Sequence, residues 1–348
     1  MKVALTGHLG YVGSVMTPML VAAGHEVVGI DTDLYRRSTY GADTLDPGVP
    51  TLFKDVRDVT AEDLEGVDAV IHLAALSNDP LGDLNPTLTD EINHRASVRL
   101  AELARSVGVQ RFLFASSCSN YGAGVEDWLT EESAFNPVTP YGVSKVAVEQ
   151  AVSKLATDDF SPTFLRSATA YGVSPRLRFD LVLNNLTAWA FCTKRVLLKS
   201  DGTPWRPIVH IEDMSRAFLA VLEAPRELVH NEAFNVGRTS ENFQIKDLAE
   251  IVASVVPDSR IEFAGEAGPD ARNYRVNCDK IRDTLPAFQP TWTAEAGARQ
   301  LYESFQQIGV VLEDFEGPRY RRVDQLKALI EESLLGPDLR WTTTEVPA

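Results

Sequence analysis

Met1-Lys-Val-Ala-Leu-Thr-Gly7-His-Leu-Gly10-Tyr11-Val12-Gly13-Ser14 is the stretch on which the reading of the whole chain turns. Val3 to Leu5 read as a short buried strand, Thr6 and Gly7 turn the chain, and an apolar-periodic helix begins near Tyr11. A strand that runs through a glycine-rich turn into a helix is the layout of a dinucleotide site. The glycines let the backbone approach a pyrophosphate, and the helix N-terminus supplies free N–H groups and partial positive charge. The spacing is G-x-x-G-x-x-G rather than the general G-x-G-x-x-G. Three glycines also suit an ordinary turn before an amphipathic helix, so the assignment rests on the rest of the chain.

Beyond residue 14 the chain alternates strand and helix. Val27 to Ile30, ending at Asp31, Thr51 to Phe53, Ala69 to Leu73, Arg111 to Ala115 and Thr163 to Leu165 read as further strands. Residues 90–107 and 141–156 carry helical spacing. Such alternation predicts right-handed crossovers and a parallel sheet. Pro18 opposes this pattern inside the first helix, where it removes the bond to the Ser14 carbonyl at a cost of roughly 3 kcal/mol. A kink, or packing good enough to tolerate it, is expected there. After about residue 170 the texture changes: Gly172-Val-Ser-Pro-Arg176 and Asp201-Gly-Thr-Pro-Trp-Arg206-Pro are loops of a kind that carry substrate contacts. Helices return near 180–193, 212–223, 244–256, 292–306 and 322–334.

A length of 348 residues with 44% hydrophobic and 24% charged residues suits a globular enzyme and excludes a disordered chain. The net charge of −16 argues against nucleic acid or an anionic membrane, because phosphate-rich partners want a basic face. Cys118, Cys192 and Cys278 are widely spaced, with no C-x-x-C, and there is no H-E-x-x-H. Neither a metal site nor a disulfide framework is expected, and a reducing, cytoplasmic setting is. The N-terminus enters a strand directly, so no signal peptide is expected, and no apolar run approaches the ~18 residues of a membrane helix.

Three features converge on chemistry. Asp31 ends the second strand, where a carboxylate hydrogen-bonds both adenosine ribose hydroxyls and repels a 2′-phosphate, favouring NAD over NADP. Arg36 and Arg37 follow closely and soften that preference. Tyr141-Gly-Val-Ser-Lys145 puts a phenol and an ammonium on one helix face, with Thr139-Pro140 setting the helix start. A neighbouring ammonium favours the phenolate and brings tyrosine into range as a base. Ala115-Ser-Ser117-Cys118-Ser119-Asn-Tyr121-Gly lies at the C-terminal end of the fifth strand, the end that faces the ligand crevice, where a serine hydroxyl can relay a proton.

With these residues the chain resembles the extended short-chain dehydrogenase/reductases of the nucleotide-sugar epimerase and dehydratase type. Thr6-Gly7-x-x-Gly10-Tyr-Val-Gly13, Asp31, Asp55-Val56, His72-Leu-Ala-Ala75, Asn93, Ser117, Tyr141 and Lys145 fall in that family's order, and the match runs to about residue 310. The resemblance implies an α/β fold: a Rossmann-type doubly wound parallel sheet over 1–170, with strand and helix returning near 207–231, and a smaller α/β nucleotide-sugar domain over 171–348 that includes a C-terminal extension. It implies that Gly7, Gly10 and Gly13, with Tyr11 and Val12 between them, hold the pyrophosphate of NAD. Asp55 and Val56 line the adenine, and Leu73, Ala74 and Ala75 pass under the nicotinamide-side ribose. Asn93 joins the cofactor set, and Lys145 binds that ribose while lowering the pKa of Tyr141. Ser117 takes the place of the catalytic Ser or Thr. On the substrate side the resemblance implies Ser119, Thr169, Asn184, Asn185, Arg206, Asp270 and Arg272. Arginine suits diphosphate because its planar fork binds the oxygens bidentately.

Departures from the family narrow the reaction. The 4,6-dehydratases carry an Asp-Glu pair directly after the catalytic Ser/Thr, and the decarboxylases keep the Glu; here those positions hold Cys118 and Ser119. Some relatives place an acid/base cysteine where Ser119 stands, so Cys118, one position off, reads as a packed residue. Thr169 replaces a common Asn, and Gly172-Val173 a common Gly-Pro. The expectation is an NAD-dependent epimerase of a nucleotide-diphosphate sugar acting through a transient keto-sugar. A reductase of a nucleotide-linked keto-deoxysugar uses the same residues, and Asp31 leans away from it because many such reductases use NADPH. A non-catalytic dinucleotide sensor is expected to lose Tyr141 or Lys145, and both are present. The resemblance also implies a homodimer paired through the helices near 92–106 and 142–156.

Overall fold

The apolar runs read as strands become neighbours in one parallel sheet in this computed structural model, which describes residues 1–42, 44–77, 85–122, 126–198, 200–263 and 273–343. The strands are β1 (Lys2–Thr6), β2 (Glu26–Asp31), β3 (Thr51–Phe53), β4 (Ala69–His72), β5 (Arg111–Ser117) and β6 (Ser161–Ser167). Outside this group lie β7 (Thr169–Tyr171), β8 (Arg195–Leu198) and β9 (Trp205–His210). A later strand, β10 (Ala233–Val236), adds to the edge beside β6, giving the order β10-β6-β5-β4-β1-β2-β3. The chain builds outward from β1 through β2 and β3, then returns to the other side of β1 with β4. That reversal opens a crevice at the C-terminal ends of β1 and β4, where Thr6 stands opposite His72.

Alternation along the strands supplies two cores. On β5, Phe112 and Phe114 face one layer and Leu113 and Ala115 the other, as a period of two requires. Helix α1 (Gly13–Ala22) buries Met16 and Leu20 against Leu5 and Leu113. On the opposite face lies α2, which starts as Pro86–Thr89, widens to a π-helical stretch over Asp90–Arg95 and continues as Ala96–Ser106. Beside it, α3 (Pro140–Val152) contributes Val148 and Val152 to the same layer. Pro18 does not interrupt α1: its ring is exposed on the outer face, while Met16 and Leu20 are fully buried and offset the lost hydrogen bond.

The second half adds α4 (Val182–Thr193) and α5 (Ile211–Glu223), the latter returning to the α1 side of the large sheet. Next come β11 (Asn242–Gln244), α6 (Ile245–Val255), β12 (Arg260–Phe263) and α7 (Ala294–Ile308). Strands β11-β9-β7 form one small sheet and β12-β8 another. Leu183, Val196, Leu248, Val252, Leu301 and Phe305 pack there into a separate core. The last helix, α8 (Arg322–Glu331), crosses back: Leu326 and Leu329, with Leu335 and Leu339 after it, join the α2/α3 core of the first half.

Candidate active site

The crevice opens into a cleft of about 740 Å³. At its floor Gly7 adopts φ +76° and donates its N–H to the Ile30 carbonyl at 2.8 Å. A Cβ at Gly7 would stand 2.8 Å from the Ala74 nitrogen, and one at Gly13 only 2.3 Å from the Gly7 carbonyl oxygen. The turn is therefore folded too tightly for side chains, leaving backbone as its surface. Gly10, Tyr11 and Val12 complete that wall. Gly13→Ala is expected to abolish this geometry, because backbone rather than a movable side chain blocks the added methyl. Overpacking of this kind costs about 1–3 kcal/mol, and the expected result is dinucleotide binding at least roughly tenfold weaker, read by titration.

At the end of β2, Asp31 is fixed by two backbone donors: Leu9 N–H to Oδ2 at 2.9 Å and Asp33 N–H to Oδ1 at 2.8 Å. Asp55 accepts Arg57 at 2.9 and 2.7 Å, which sets the turn that carries Val56, and both residues line the cleft. Leu73, Ala74 and Ala75 line it too. They are held from behind by a chain of hydrogen bonds whose protons can be ordered. Ala74 N–H donates to Thr6 Oγ at 3.3 Å, and the Thr6 hydroxyl pairs with His72 Nδ1 at 2.7 Å. His72 Nε2 pairs with Ser97 Oγ at 2.7 Å, and that hydroxyl donates to the Asn93 carbonyl at 2.7 Å. With the serine proton committed to Asn93, His72 donates from Nε2 and accepts at Nδ1. Asn93 itself is not a cleft residue. Its amide accepts Leu76 N–H at 2.8 Å and donates to Leu76 O at 3.1 Å, shaping the loop that is.

Burial pulls the His72 pKa down to about 3, from 6.5, with Lys145 adding to the effect. Between those values the unfolded chain binds the proton and the folded one does not. Stability from this group is thus complete above pH ~6.5 and is lost as the pH falls toward 3. Denaturation at pH 7 and pH 5.5 should show the loss, with a slope of up to roughly 1.4 kcal/mol per pH unit that is absent from His72→Gln.

Thr139 caps α3, accepting Gly142 N–H at 3.2 Å, with Pro140 at the first helical position. This start presents Tyr141 and Lys145 to the cleft together with Ser117. Lys145 is buried, its Nζ donates to the Ala115 carbonyl at 2.7 Å, and it lies 5.6 Å from the Tyr141 ring centre. Burial brings its pKa down to about 7, against an opposing pull from Glu149. Ser117 Oγ accepts Ser119 N–H at 3.1 Å. Cys118 points away: it is 1% exposed, its Sγ donates to the Arg166 carbonyl at 3.2 Å, and burial pushes its thiol pKa up.

Ser119, Thr169, Asn185 and Arg206 line the far end of the cleft. Asn184 does not: it is fully buried, accepting Gly172 N–H at 3.0 Å and donating to the Arg178 carbonyl at 2.8 Å. The helical phase of α4 turns Asn184 inward and its neighbour outward, so Asn184 stabilises the 172–178 loop. Asp270 and Arg272 lie outside the described residues.

The model of the NAD dependent epimerase/dehydratase family matches residues 3–237. This chain belongs to that family. A UDP-glucose 4-epimerase of Corynebacterium glutamicum is 29% identical over 311 residues, covering 85% of this chain and 91% of the relative. UDP-glucuronic acid decarboxylase 1 of Arabidopsis thaliana is 26% identical, covering 88% of this chain and 70% of the relative. Among solved structures, the UDP-glucose 4-epimerase of Thermotoga maritima superposes with a TM-score of 0.78 at 23% identity, over 89% of this chain and all of that one.

The cofactor of this epimerase/dehydratase family member is NAD, and the cleft fits it. The glycine turn packs too closely on Ala74 and on itself for Cβ atoms at Gly7 and Gly13 and gives the cleft a backbone wall, which suits a diphosphate, and two backbone N–H groups hold the Asp31 carboxylate at the end of β2, which suits ribose hydroxyls. Several residues that shape the site belong to none of the sequence motifs. Arg178 lines the cleft, pairing with Asp180 at 2.7 Å and reaching Ser77 Oγ at 3.2 Å. Tyr35, Arg322 and Leu339 line it as well. Behind the wall that carries Tyr141 and Lys145, Glu149 and Arg166 form a buried ion pair at 2.7 Å. Glu149 was within reach of sequence reasoning, because it follows Lys145 by the same four residues that separate Lys145 from Tyr141. Arg322 carried no motif and depends on a long-range crossing.

Proposed function

We propose that this family member is an epimerase of a nucleotide-diphosphate sugar. The observation that carries the reading is the pairing of two facts in one cleft. Ser117, Tyr141 and Lys145 line it together, while the positions after Ser117 that need acids for elimination or decarboxylation hold a buried thiol and a hydroxyl. Bound NAD supplies a hydride acceptor that later returns the hydride. Tyr141, as phenolate, takes the proton from a sugar ring hydroxyl, and Ser117 hydrogen-bonds that hydroxyl and relays the proton. The Lys145 ammonium favours the phenolate. Loss of that proton together with the hydride on the same carbon would give a keto-sugar, and return of the hydride to the opposite face of the carbonyl, with Tyr141 giving its proton back to the oxygen, would give the epimer. Arg206, at 5% exposure, and Asn185 bind the diphosphate side of the substrate. The UDP-glucose and UDP-glucuronic acid named for relatives and neighbours support a uridine nucleotide as first choice.

The reading is tested by denaturing purified, dialysed protein and identifying what is released by mass spectrometry. About one NAD per chain is expected of an enzyme that regenerates its cofactor in each cycle. A dinucleotide-free protein that consumes NADH or NADPH with keto-sugar nucleotides would make it a reductase.

A further inference from the structure

Among the described residues, three guanidinium groups are buried around the adenosine end of the cleft, and two of them have carboxylate partners. Arg176 pairs with Asp33 at 2.8 Å and Arg178 with Asp180 at 2.7 Å. Arg322 makes no ion pair among the described residues. It is 8% exposed, its Nη2 has no hydrogen-bond partner among them, and its planar head stacks on the Tyr35 ring at 4.1 Å. Arg322 lines the dinucleotide cleft with Tyr35 and Tyr11. A buried, unpaired cation is strongly unfavourable unless an anion completes it. Burial works against the Arg322 charge first, then the nearby Arg178 and Arg176 cations, while Asp180, already paired with Arg178, acts the other way.

The segment that carries Arg322 is pinned across the rim of the same site. Trp341 Nε1 donates to the Thr32 carbonyl at 2.7 Å, one residue beyond Asp31. Arg340 pairs with Asp58, and Arg57 Nη2 donates to the Asp338 carbonyl at 2.9 Å. Ser38 Oγ donates to Gln325 at 2.6 Å, and Arg37 pairs with Glu332 at 2.9 Å. These contacts tie residues 325–341 to the loops after β2 and β3, which flank the adenosine half of the cleft.

We infer that the C-terminal segment is a clamp over the bound dinucleotide and that Arg322 is its charged contact, donating hydrogen bonds to the diphosphate. The diphosphate is favoured over a 2′-phosphate because Tyr11 belongs to the glycine turn, while the Asp31 carboxylate repels a phosphate at the ribose. The inference rests only on the cleft's being the NAD site, and holds whether the enzyme epimerises or reduces.

The test compares wild type with Arg322→Met and with Lys327→Met, an exposed lysine on the same helix. Each protein, freed of dinucleotide, is titrated with NAD, ADP, adenosine and NADP, and its ligand-free melting temperature is measured. Arg322→Met should bind NAD and ADP about tenfold or more weakly, leave adenosine binding within twofold, and melt no lower than wild type, because the lost charge was unpaired. Arg322→Lys should recover part of the affinity, and Lys327→Met should bind as wild type does. Unchanged NAD and ADP binding would overturn the inference. So would an equal loss for adenosine, a loss confined to NADP, or a lowered ligand-free melting temperature with no separate loss for ADP.

Discussion

Tyr141→Phe is expected to keep its NAD and to lose turnover by a factor of roughly 10²–10⁴, the range that positioned acid–base groups contribute. The phenol is held by the start of α3, which Thr139 and Pro140 fix through the backbone. Removing one oxygen leaves that start, the Lys145 bond to the Ala115 carbonyl and the glycine turn unchanged. Affinity for substrate should therefore move little while kcat falls. Single-turnover kinetics and the dinucleotide content of the same preparation check both halves of the expectation. A phenylalanine variant with near-normal kcat would assign the proton transfer to another group.

The second large effect is one of stability. Glu149→Gln should lower the free energy of unfolding by about 3–5 kcal/mol, the cost of leaving one member of a buried ion pair without its partner. The carboxylate accepts Arg166 at 2.7 Å and Asn120 at 2.9 Å, and also bonds Ser116. Arg166 in turn donates to Tyr121 at 3.1 Å and to the Glu131 carbonyl at 2.9 Å. Tyr121 passes the network on to Asn235 of β10 at 2.7 Å. An amide in place of the carboxylate leaves the guanidinium charged and the acceptors short. Denaturant unfolding measures the loss. Combining Glu149→Gln with Arg166→Met should recover part of it, since removing both charges costs less than stranding one. Glu149 also supports the positive charge of Lys145, so whatever folded variant remains should have its pH–rate profile displaced.

Much of this was legible in the chain because local rules and global fold agree. Gly7 and Gly13 occupy positions where backbone crowding or positive φ leaves no room for a Cβ, and Asp31 and Tyr141 sit at element ends where period and capping place them. Legibility failed where a contact depends on the far end of the chain. Asn184 and Asn185 are neighbours in sequence, and only the packing of α4 decides which faces the cleft. β10 joins the large sheet after a long excursion, and its four residues resemble many other apolar runs. Arg322 is one of several arginines in a polar stretch, Arg319-Tyr-Arg-Arg322, and becomes a cleft residue only because Leu326 and Leu329 carry its helix back to the first core.

The most direct test of the central claim is to incubate the purified enzyme, with no added dinucleotide, with UDP-sugars in deuterated water and follow the ring hydrogens by NMR. Internal hydride transfer predicts conversion of a UDP-sugar to its epimer, with the original hydrogen kept at the inverted carbon. Deuterium at that carbon would contradict the account, and so would loss of water or carbon dioxide in place of inversion.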